Sequence, residues 1–165
     1  MNDFHEQFEY IKNQLTYIKS KVELDNQLGL LDINKLGENI FMHILNDVYD
    51  WNLTDANLLQ ENFPAIDLVD DTNRLVVQVT STTTTDKLRG TIEKFKALNQ
   101  YSGYQLKIFY IKNKPNFQKE SLSEFTQNGV STNDMLGVED ILEAIQSNHN
   151  KCKALYLTLQ QRLTE

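Results

Sequence analysis

The 165-residue sequence predicts an α/β fold in which a mixed β-sheet is flanked by helices. Two short apolar runs on either side of the segment from Asp70 to Asn73 are typical of a β-hairpin, because Asp and Asn favour turns. A helical pattern then leads to another apolar strand, which implies a parallel crossover. Helix, hairpin, helix and strand in this order are typical of an α/β sandwich.

The first element is a long amphipathic helix, expected over residues 2–22. Its apolar residues recur at intervals of four and three and form one seam: Phe4, Phe8, Ile11, Leu15, Ile18 and Val22. This seam requires a partner, which is either the protein's own core or a second copy of the chain. After a less regular stretch from Glu23 to Asp32, a second helix is expected at about 33–50, with Glu38 at the edge of its apolar stripe.

The central elements are strands and one helix. A short first strand is expected at 56–59, and hairpin strands at about 65–70 and 74–80. The hydroxyls of Thr82 to Thr85 are suitable caps for a helix whose apolar positions are Leu88, Ile92, Phe95 and Leu98.

The remaining elements complete the sheet and the helical layers. Residues 105–111 are apolar on both faces and predict a strand well inside the sheet, and residues 112–119 predict a loop. Two further helices are expected from the apolar residues between Val138 and Ile145 and between Leu155 and Leu163.

Composition limits the class of protein. A chain of this length with 40% hydrophobic residues is long enough for one cored domain over residues 1–165. No run approaches the ~18 apolar residues of a membrane span, and the N-terminus lacks the pattern of a secretory signal, so we expect a cytoplasmic protein without membrane contact. One cysteine, Cys152, and three scattered histidines do not predict a disulfide or a zinc site.

The charge is unevenly distributed. The chain carries a net charge of -7, yet the segment from Lys87 to Lys119 contains eight basic residues and only one acid, Glu93. Such a basic block can follow a phosphate backbone, and Lys87, Arg89, Lys94 and Lys96 are the predicted nucleic-acid contacts. The alternative is a solvated helix face and a lysine-protected strand edge.

Polar residues within the hairpin form a candidate catalytic site. Asp67 lies in the first strand, and Gln78 and Thr80 share one face of the second strand. Oxygen ligands of this kind suit Mg²⁺ or Mn²⁺ in a phosphodiesterase, with Glu38 as a further ligand. Lys87 would stabilise charge on the phosphate and Thr80 would orient a water. Alternatively, Gln78 and Thr80 form hydrogen bonds across the sheet, and Asp67 caps the backbone or pairs with a cation.

The order of elements resembles the restriction-endonuclease-like core of the PD-(D/E)xK superfamily. Pro64-Ala65-Ile66-Asp67 and Gln78-Val79-Thr80 stand where that superfamily carries its acid and its acid-x-lysine motif. The resemblance implies that Asp67 binds a metal and that Gln78 replaces the second acid. Thr80 stands in place of the lysine, and Lys87 is the candidate for a migrated ammonium group.

A closer resemblance is to the SMEK domain of bacterial proteins from suspected anti-phage defence systems. It rests on Ala65-Ile66-Asp67-Leu68, on Val77-Gln78-Val79-Thr80-Ser81, and on Lys87, Thr91 and Phe95. The resemblance covers about residues 2–125 and is strongest over 62–95. It implies a nuclease-like module of a larger or multi-component defence protein, with a fused or partner subunit. The N-terminal seam separately suits a homo-oligomer.

Three functions follow as hypotheses. The first is a Mg²⁺- or Mn²⁺-dependent nuclease of defence type. The second is a degenerate nuclease fold that binds nucleic acid through the basic block without cutting it. The third is an assembly or sensing module that uses the N-terminal seam, a use that the acidic remainder of the chain favours because it repels polyanions.

Overall fold

The computed structural model describes residues 3–29, 32–56 and 66–163, with the side chains of 32–36 excepted. Its helices and strands are α1 (Asp3–Gln27), α2 (Asp32–Tyr49), β1 (Thr54–Asp55), β2 (Leu68–Asp70), β3 (Leu75–Thr80), α3 (Thr85–Lys96), β4 (Gln105–Tyr110), α4 (Lys119–Gln127), β5 (Met135–Gly137), α5 (Val138–Gln146) and α6 (His149–Leu163). A mixed sheet flanked by helices and a long N-terminal helix are therefore confirmed. Among the described residues, no helix has the length and apolar character needed to cross a membrane.

The chain divides into two compact units. Residues 1–51 and 138–165 form a helical unit, and residues 52–137 form a sheet unit. The helical unit contains α1, α2, α5 and α6, and the sheet unit contains the five strands with α3 and α4. The expected single domain over residues 1–165 stays a prediction.

The N-terminal seam is buried inside the helical unit. Ile11 and Leu15 are fully buried, and Ile18 and Val22 are nearly so. Helix α1 packs against α2, α5 and α6, and the Phe4 ring stacks on the imidazole of His149 at 3.8 Å between centroids. The seam is thus covered by the protein's own helices, so a dimer through these same side chains would require that packing to open.

The sheet unit is a five-stranded sheet in the order β1-β2-β3-β4-β5. The first three strands pair antiparallel, while β3, β4 and β5 pair parallel. Helix α3 makes the crossover between β3 and β4, as the sequence predicts. It begins where Thr84 caps it, with the hydroxyl accepting a hydrogen bond from the Lys87 N–H.

One face of the sheet packs against the helices of its own unit. Val76 of β3 and the even-numbered residues of β4 belong to one buried cluster with Leu88 and Ile92 of α3 and with Phe125 of α4. Because alternate residues of a strand point to the same face, Gln78 and Thr80 share this face with Val76. The α3 side of the sheet therefore carries the candidate site.

Several predicted boundaries were wrong. Helix α1 continues to Gln27 instead of ending near residue 22, because the residues after Val22, none of which is buried, keep the helical backbone without extending the seam. Strand β2 begins at Leu68, so Asp67 lies in the bend before it instead of inside a strand at 65–70. Helix α4 and strand β5, which have nine and three residues, are not predicted by the sequence pattern.

The expected strand at 56–59 falls mainly outside the described residues. Within the described part, the first strand is Thr54–Asp55, and Ala56, which follows it, has 3-10 conformation. Ala56 is nevertheless held against the next strand, because its N–H donates to the Asp67 carbonyl at 2.9 Å.

Candidate functional site

The candidate site is a row of polar side chains on the α3 side of the sheet. Asp67 and Gln78 lie side by side just beyond the Leu68–Val77 pair of the hairpin. Thr80 follows Gln78 on the same face, and its register partner on the parallel strand β4 is Tyr110. We call these four residues, Asp67, Gln78, Thr80 and Tyr110, the polar row. Thr80 and Tyr110 end their strands, and the carboxyl ends of parallel strands are where α/β proteins usually bind ligands.

Asp67 is held to β3 by its side chain. Its Oδ2 atom accepts a 2.8 Å hydrogen bond from Gln78 Nε2 and a 2.7 Å hydrogen bond from the N–H of Val79. Its own N–H donates to the carbonyl of Val77 at 3.1 Å. The carboxylate thus continues the pairing of the two strands just before β2 begins, and it is itself only half-buried.

Gln78 is buried and its amide orientation is set by this contact. The side chain is 9% exposed, and Nε2 also approaches the Val79 carbonyl at 3.3 Å. With the nitrogen turned toward Asp67, the amide oxygen is the atom of Gln78 that can serve as a metal ligand. Gln78 therefore forms the hydrogen bond across the sheet that a purely structural role predicts. Its amide oxygen could still bind a metal.

Thr80 is the last residue of β3. Its hydroxyl accepts a 3.1 Å hydrogen bond from the N–H of Thr82 and so shapes the turn that leads into α3. A threonine hydroxyl has no charge at neutral pH. Thr80 therefore cannot offset negative charge on a phosphate as an ammonium group would.

Lys87 is exposed in the first turn of α3. Its ammonium group forms no ion pair among the described residues. A long, flexible side chain at this position remains available to a ligand at the carboxyl ends of the strands. Its role as the migrated ammonium group stays a prediction.

The four basic residues predicted to contact nucleic acid lie on two sides of α3. A separation of seven residues returns to the same side of a helix, so Lys87 lies with Lys94, and Arg89 lies with Lys96. Arg89 and Lys96 turn toward α4, where they line a cavity of about 110 Å³ together with Asn128.

Arg89 forms ion pairs with two acidic neighbours. Its guanidinium forms two hydrogen bonds with the Glu124 carboxylate, at 2.7 and 3.0 Å, and another with Asp86 at 2.9 Å. The hydrogen bonds from Arg89 lower the pKa of Glu124. Lys87 and Lys94 are therefore the better candidates for contacts with a polyanion.

Glu38 lies on α2 and is half-buried. It belongs to the helical unit, whereas Asp67 belongs to the sheet unit. Among the described residues, no group of three or more His, Cys, Asp or Glu side chains could hold a metal ion. A metal ligand role for Glu38 stays a prediction.

A second carboxylate of the hairpin, Asp70, has a structural role. It is fully buried, its Oδ2 accepts from the N–H of Asn52 and from the Asn73 side chain, and its Oδ1 accepts from the Asn73 N–H. Burial acts to raise the pKa of Asp70, but these hydrogen bonds outweigh it and the pKa is lowered. Both oxygens already have donors, so Asp70 is not available as a metal ligand.

Tyr110 is the member of the polar row that sequence analysis missed. The sequence pattern predicts only an apolar residue of a buried strand at this position, and Tyr110 is indeed 1% exposed. Its membership of the row depends on the parallel register of β3 and β4, which pairs it with Thr80. The feature of the sequence that could indicate Tyr110 is a hydroxyl at the carboxyl end of an otherwise apolar strand.

Comparisons with known proteins give one match. The family model described as the SMEK domain matches residues 10–146, which is most of the chain. No curated protein and no solved structure matches.

Proposed function

The chain belongs to the SMEK domain family, and we propose that it is a divalent-metal-dependent nuclease module whose metal is held by Asp67 and Gln78. The observation that carries the proposal is the 2.8 Å contact that fixes these two side chains next to each other on the sheet. It is supported by their place near the carboxyl ends of the strands, and by the resemblance to restriction-endonuclease-like enzymes.

The donor set fits a weakly held hard cation. One carboxylate and one amide oxygen are two ligands of the type that Mg²⁺ and Mn²⁺ accept. Magnesium is commonly bound by one or two carboxylates, with water and substrate phosphate as its other ligands. We therefore propose that the metal binds firmly only together with nucleic acid. The metal would supply an activated water and offset charge on the phosphate.

The other site residues have supporting roles in this proposal. Lys87 would place a positive charge near the scissile phosphate, because its ammonium group is exposed in the first turn of α3. Thr80 would orient a water, since its hydroxyl can donate one hydrogen bond while accepting from Thr82. Lys94 would contact the phosphate backbone further along α3.

A second candidate function is nucleic-acid binding without cleavage. It is favoured by Thr80, which lacks the charge of a lysine at the position where the resembling enzymes carry one. In that case affinity depends on the exposed lysines of α3, falls steeply with salt, and does not respond to a divalent metal. In both cases we also propose a cytoplasmic location and a homo-oligomer, on the sequence pattern, and an anti-phage role with a partner or fused defence subunit, on the resemblance.

Cleavage assays with supercoiled plasmid and with labelled single-stranded DNA and RNA test the proposal. Each substrate is incubated with Mg²⁺, with Mn²⁺ or with EDTA. Asp67→Asn is the informative variant because it removes the charge but keeps an oxygen that can accept the two hydrogen bonds. Asp71→Asn is the matched control, since Asp71 is an exposed turn residue of the same hairpin.

The expected result is metal-dependent cutting by the wild type and by Asp71→Asn, with at least a hundredfold loss in Asp67→Asn. Cutting that persists in EDTA or in Asp67→Asn would contradict the proposal. Salt-sensitive binding without cutting in any metal would instead support the second candidate function.

A further inference from the structure

The hydroxyl of Tyr110 is exceptional within the polar row. Asp67, Gln78 and Thr80 each have a hydrogen-bond partner in the protein. For the Tyr110 hydroxyl, no hydrogen bond is found among the described residues. A polar atom of a 99% buried side chain without a protein partner requires an explanation, because such groups normally bind protein, water or a ligand.

The location of Tyr110 indicates what it faces. Its ring belongs to the buried cluster that includes Leu88 and Ile108, which fixes the side chain on the α3 side of the sheet. No fully buried polar side-chain atom in the described part of the chain lacks a partner. The Tyr110 hydroxyl, which has no protein partner, therefore keeps some accessible surface, and Tyr110 is the last residue of β4.

The hydroxyl is a donor at physiological pH. Burial raises the pKa of Tyr110 well above its ordinary value, so the phenol stays protonated throughout the neutral range. A neutral donor that is held rigidly by a buried ring loses little entropy when it binds a phosphate oxygen.

We propose that the Tyr110 hydroxyl donates a hydrogen bond to a phosphate oxygen of the nucleic acid, which makes Tyr110 a substrate-positioning residue. This inference rests on the proposed function, because it assigns the substrate of the same site to the end of the polar row. Tyr110 and Thr80 are paired neighbours on adjacent strands, and Gln78 lies two residues before Thr80. Tyr110 would thus contact a phosphate next to the one that meets the metal.

The test compares Tyr110→Phe with Tyr101→Phe. Tyr101 belongs to the same buried cluster and is 6% exposed, so it controls for removal of a buried tyrosine hydroxyl. Binding of a fluorescent single-stranded DNA oligonucleotide is measured with Ca²⁺ in place of Mg²⁺ and over a range of salt concentrations. Thermal unfolding of each variant is recorded in parallel.

We expect Tyr110→Phe to weaken binding about tenfold to a hundredfold, as for loss of a hydrogen bond to a charged group. Its unfolding midpoint should not fall, since the hydroxyl has no partner in the protein. The slope of log affinity against log salt should also remain unchanged, because a neutral donor releases no counterion. Tyr101→Phe should leave the affinity unchanged.

Two results would overturn the inference. The first is that Tyr110→Phe binds the oligonucleotide as tightly as the wild type does. This result would overturn the role of Tyr110 and leave the proposed function intact. The second applies if the wild type neither binds nor cuts, so that the proposed function itself fails. Inorganic phosphate is then titrated against protein carrying ¹³Cζ-tyrosine, and an unchanged Tyr110 signal, assigned with Tyr110→Phe, would overturn the role of the hydroxyl in binding phosphate.

Discussion

The side-chain amide of Gln78 donates a 2.8 Å hydrogen bond to the Asp67 carboxylate across the β2–β3 hairpin. The same Asp67 oxygen also accepts the N–H of Val79, so the proposed metal ligand is part of the hairpin's hydrogen bonding. Removing the Asp67 side chain would therefore change both the chemistry and the stability of the site. Isosteric substitutions are needed to separate the two effects.

The first prediction concerns the stability contributed by Asp67. We expect Asp67→Ala to lower the free energy of unfolding by about 1–3 kcal/mol, because the Gln78 amide and the Val79 N–H lose their acceptor. Asp67→Asn retains an acceptor oxygen and should lose less. Urea denaturation followed by circular dichroism measures both variants. Equal losses in the two would show that the charge, and not the hydrogen bonds, stabilises the hairpin.

The second prediction tests the metal site by adding a carboxylate. Gln78→Glu places two acids side by side, which raises the pKa of one of them. A folded-state pKa above the unfolded value destabilises the protein at higher pH, and the penalty disappears as the pH falls to about 4. At pH 7 the variant should therefore unfold at a lower temperature than the wild type.

Divalent metal should reverse this loss. If Asp67 and Gln78 hold the metal, Mg²⁺ or Mn²⁺ at millimolar concentration should raise the unfolding midpoint of Gln78→Glu more than that of the wild type, because binding to the folded state stabilises it. Gln161→Glu, an exposed substitution on α6, adds the same charge and is the control. An equal response of both variants to metal would count against a metal site at Gln78.

The third prediction concerns Asp70 and acid stability. The pKa of Asp70 is lowered in the folded state because its hydrogen bonds outweigh the effect of burial. Its contribution is therefore complete above the ordinary pKa of about 4 and is lost as the pH falls through the folded-state value. We expect Asp70→Asn to destabilise by about 1–3 kcal/mol at pH 7, and the difference from wild type to shrink below about pH 4. Urea denaturation at several pH values measures this, with Asp71→Asn as the exposed neighbour that should show little change.

The sequence predicts the elements of the fold whose buried residues recur at regular spacing along the chain. Strand β3 is an apolar run that follows a polar hairpin turn. Helix α3 begins at a threonine cap, and the apolar residues of α1 recur at helical spacing. Strand β5 has only three residues and is defined by its pairing with β4, a non-local contact that leaves no periodic signal. Helix α4 buries only Phe125, so it carries no apolar stripe to recognise.

The candidate site shows the same division. Asp67 and Gln78 could be found because a hairpin brings neighbours in sequence together. Tyr110 could not, since its position beside Thr80 depends on the register of a parallel pair joined by a long crossover. The sequence also does not predict which basic residues of α3 are free to bind a ligand, because the Arg89–Glu124 ion pair joins residues far apart in sequence.

The fourth prediction addresses assembly through the N-terminal helix. Leu15 is fully buried and Tyr17 is 61% exposed on the same helix. We expect Leu15→Ala to destabilise by about 2–5 kcal/mol without changing the oligomeric state of the folded protein, because its side chain packs in the protein's own core. Analytical ultracentrifugation and thermal unfolding measure this, with Tyr17→Ala as the control. A stable Leu15→Ala protein of altered oligomeric state would support the use of the seam in assembly.

The fifth prediction separates the two sides of α3. Lys87 and Lys94 share one exposed side, whereas Arg89 pairs with Glu124, and Lys96 donates to the Asn128 side chain. Removing both lysines of the first pair with Lys87→Ala and Lys94→Ala should weaken nucleic-acid binding and reduce the salt slope by roughly 1.4–1.8, as expected for two lost phosphate contacts. The variant with Arg89→Ala and Lys96→Ala removes the same charge but should reduce the slope less, because those groups already have partners in the protein. Equal reductions would show that the phosphate backbone also contacts the side of α3 that faces α4, so the binding surface would not be confined to Lys87 and Lys94.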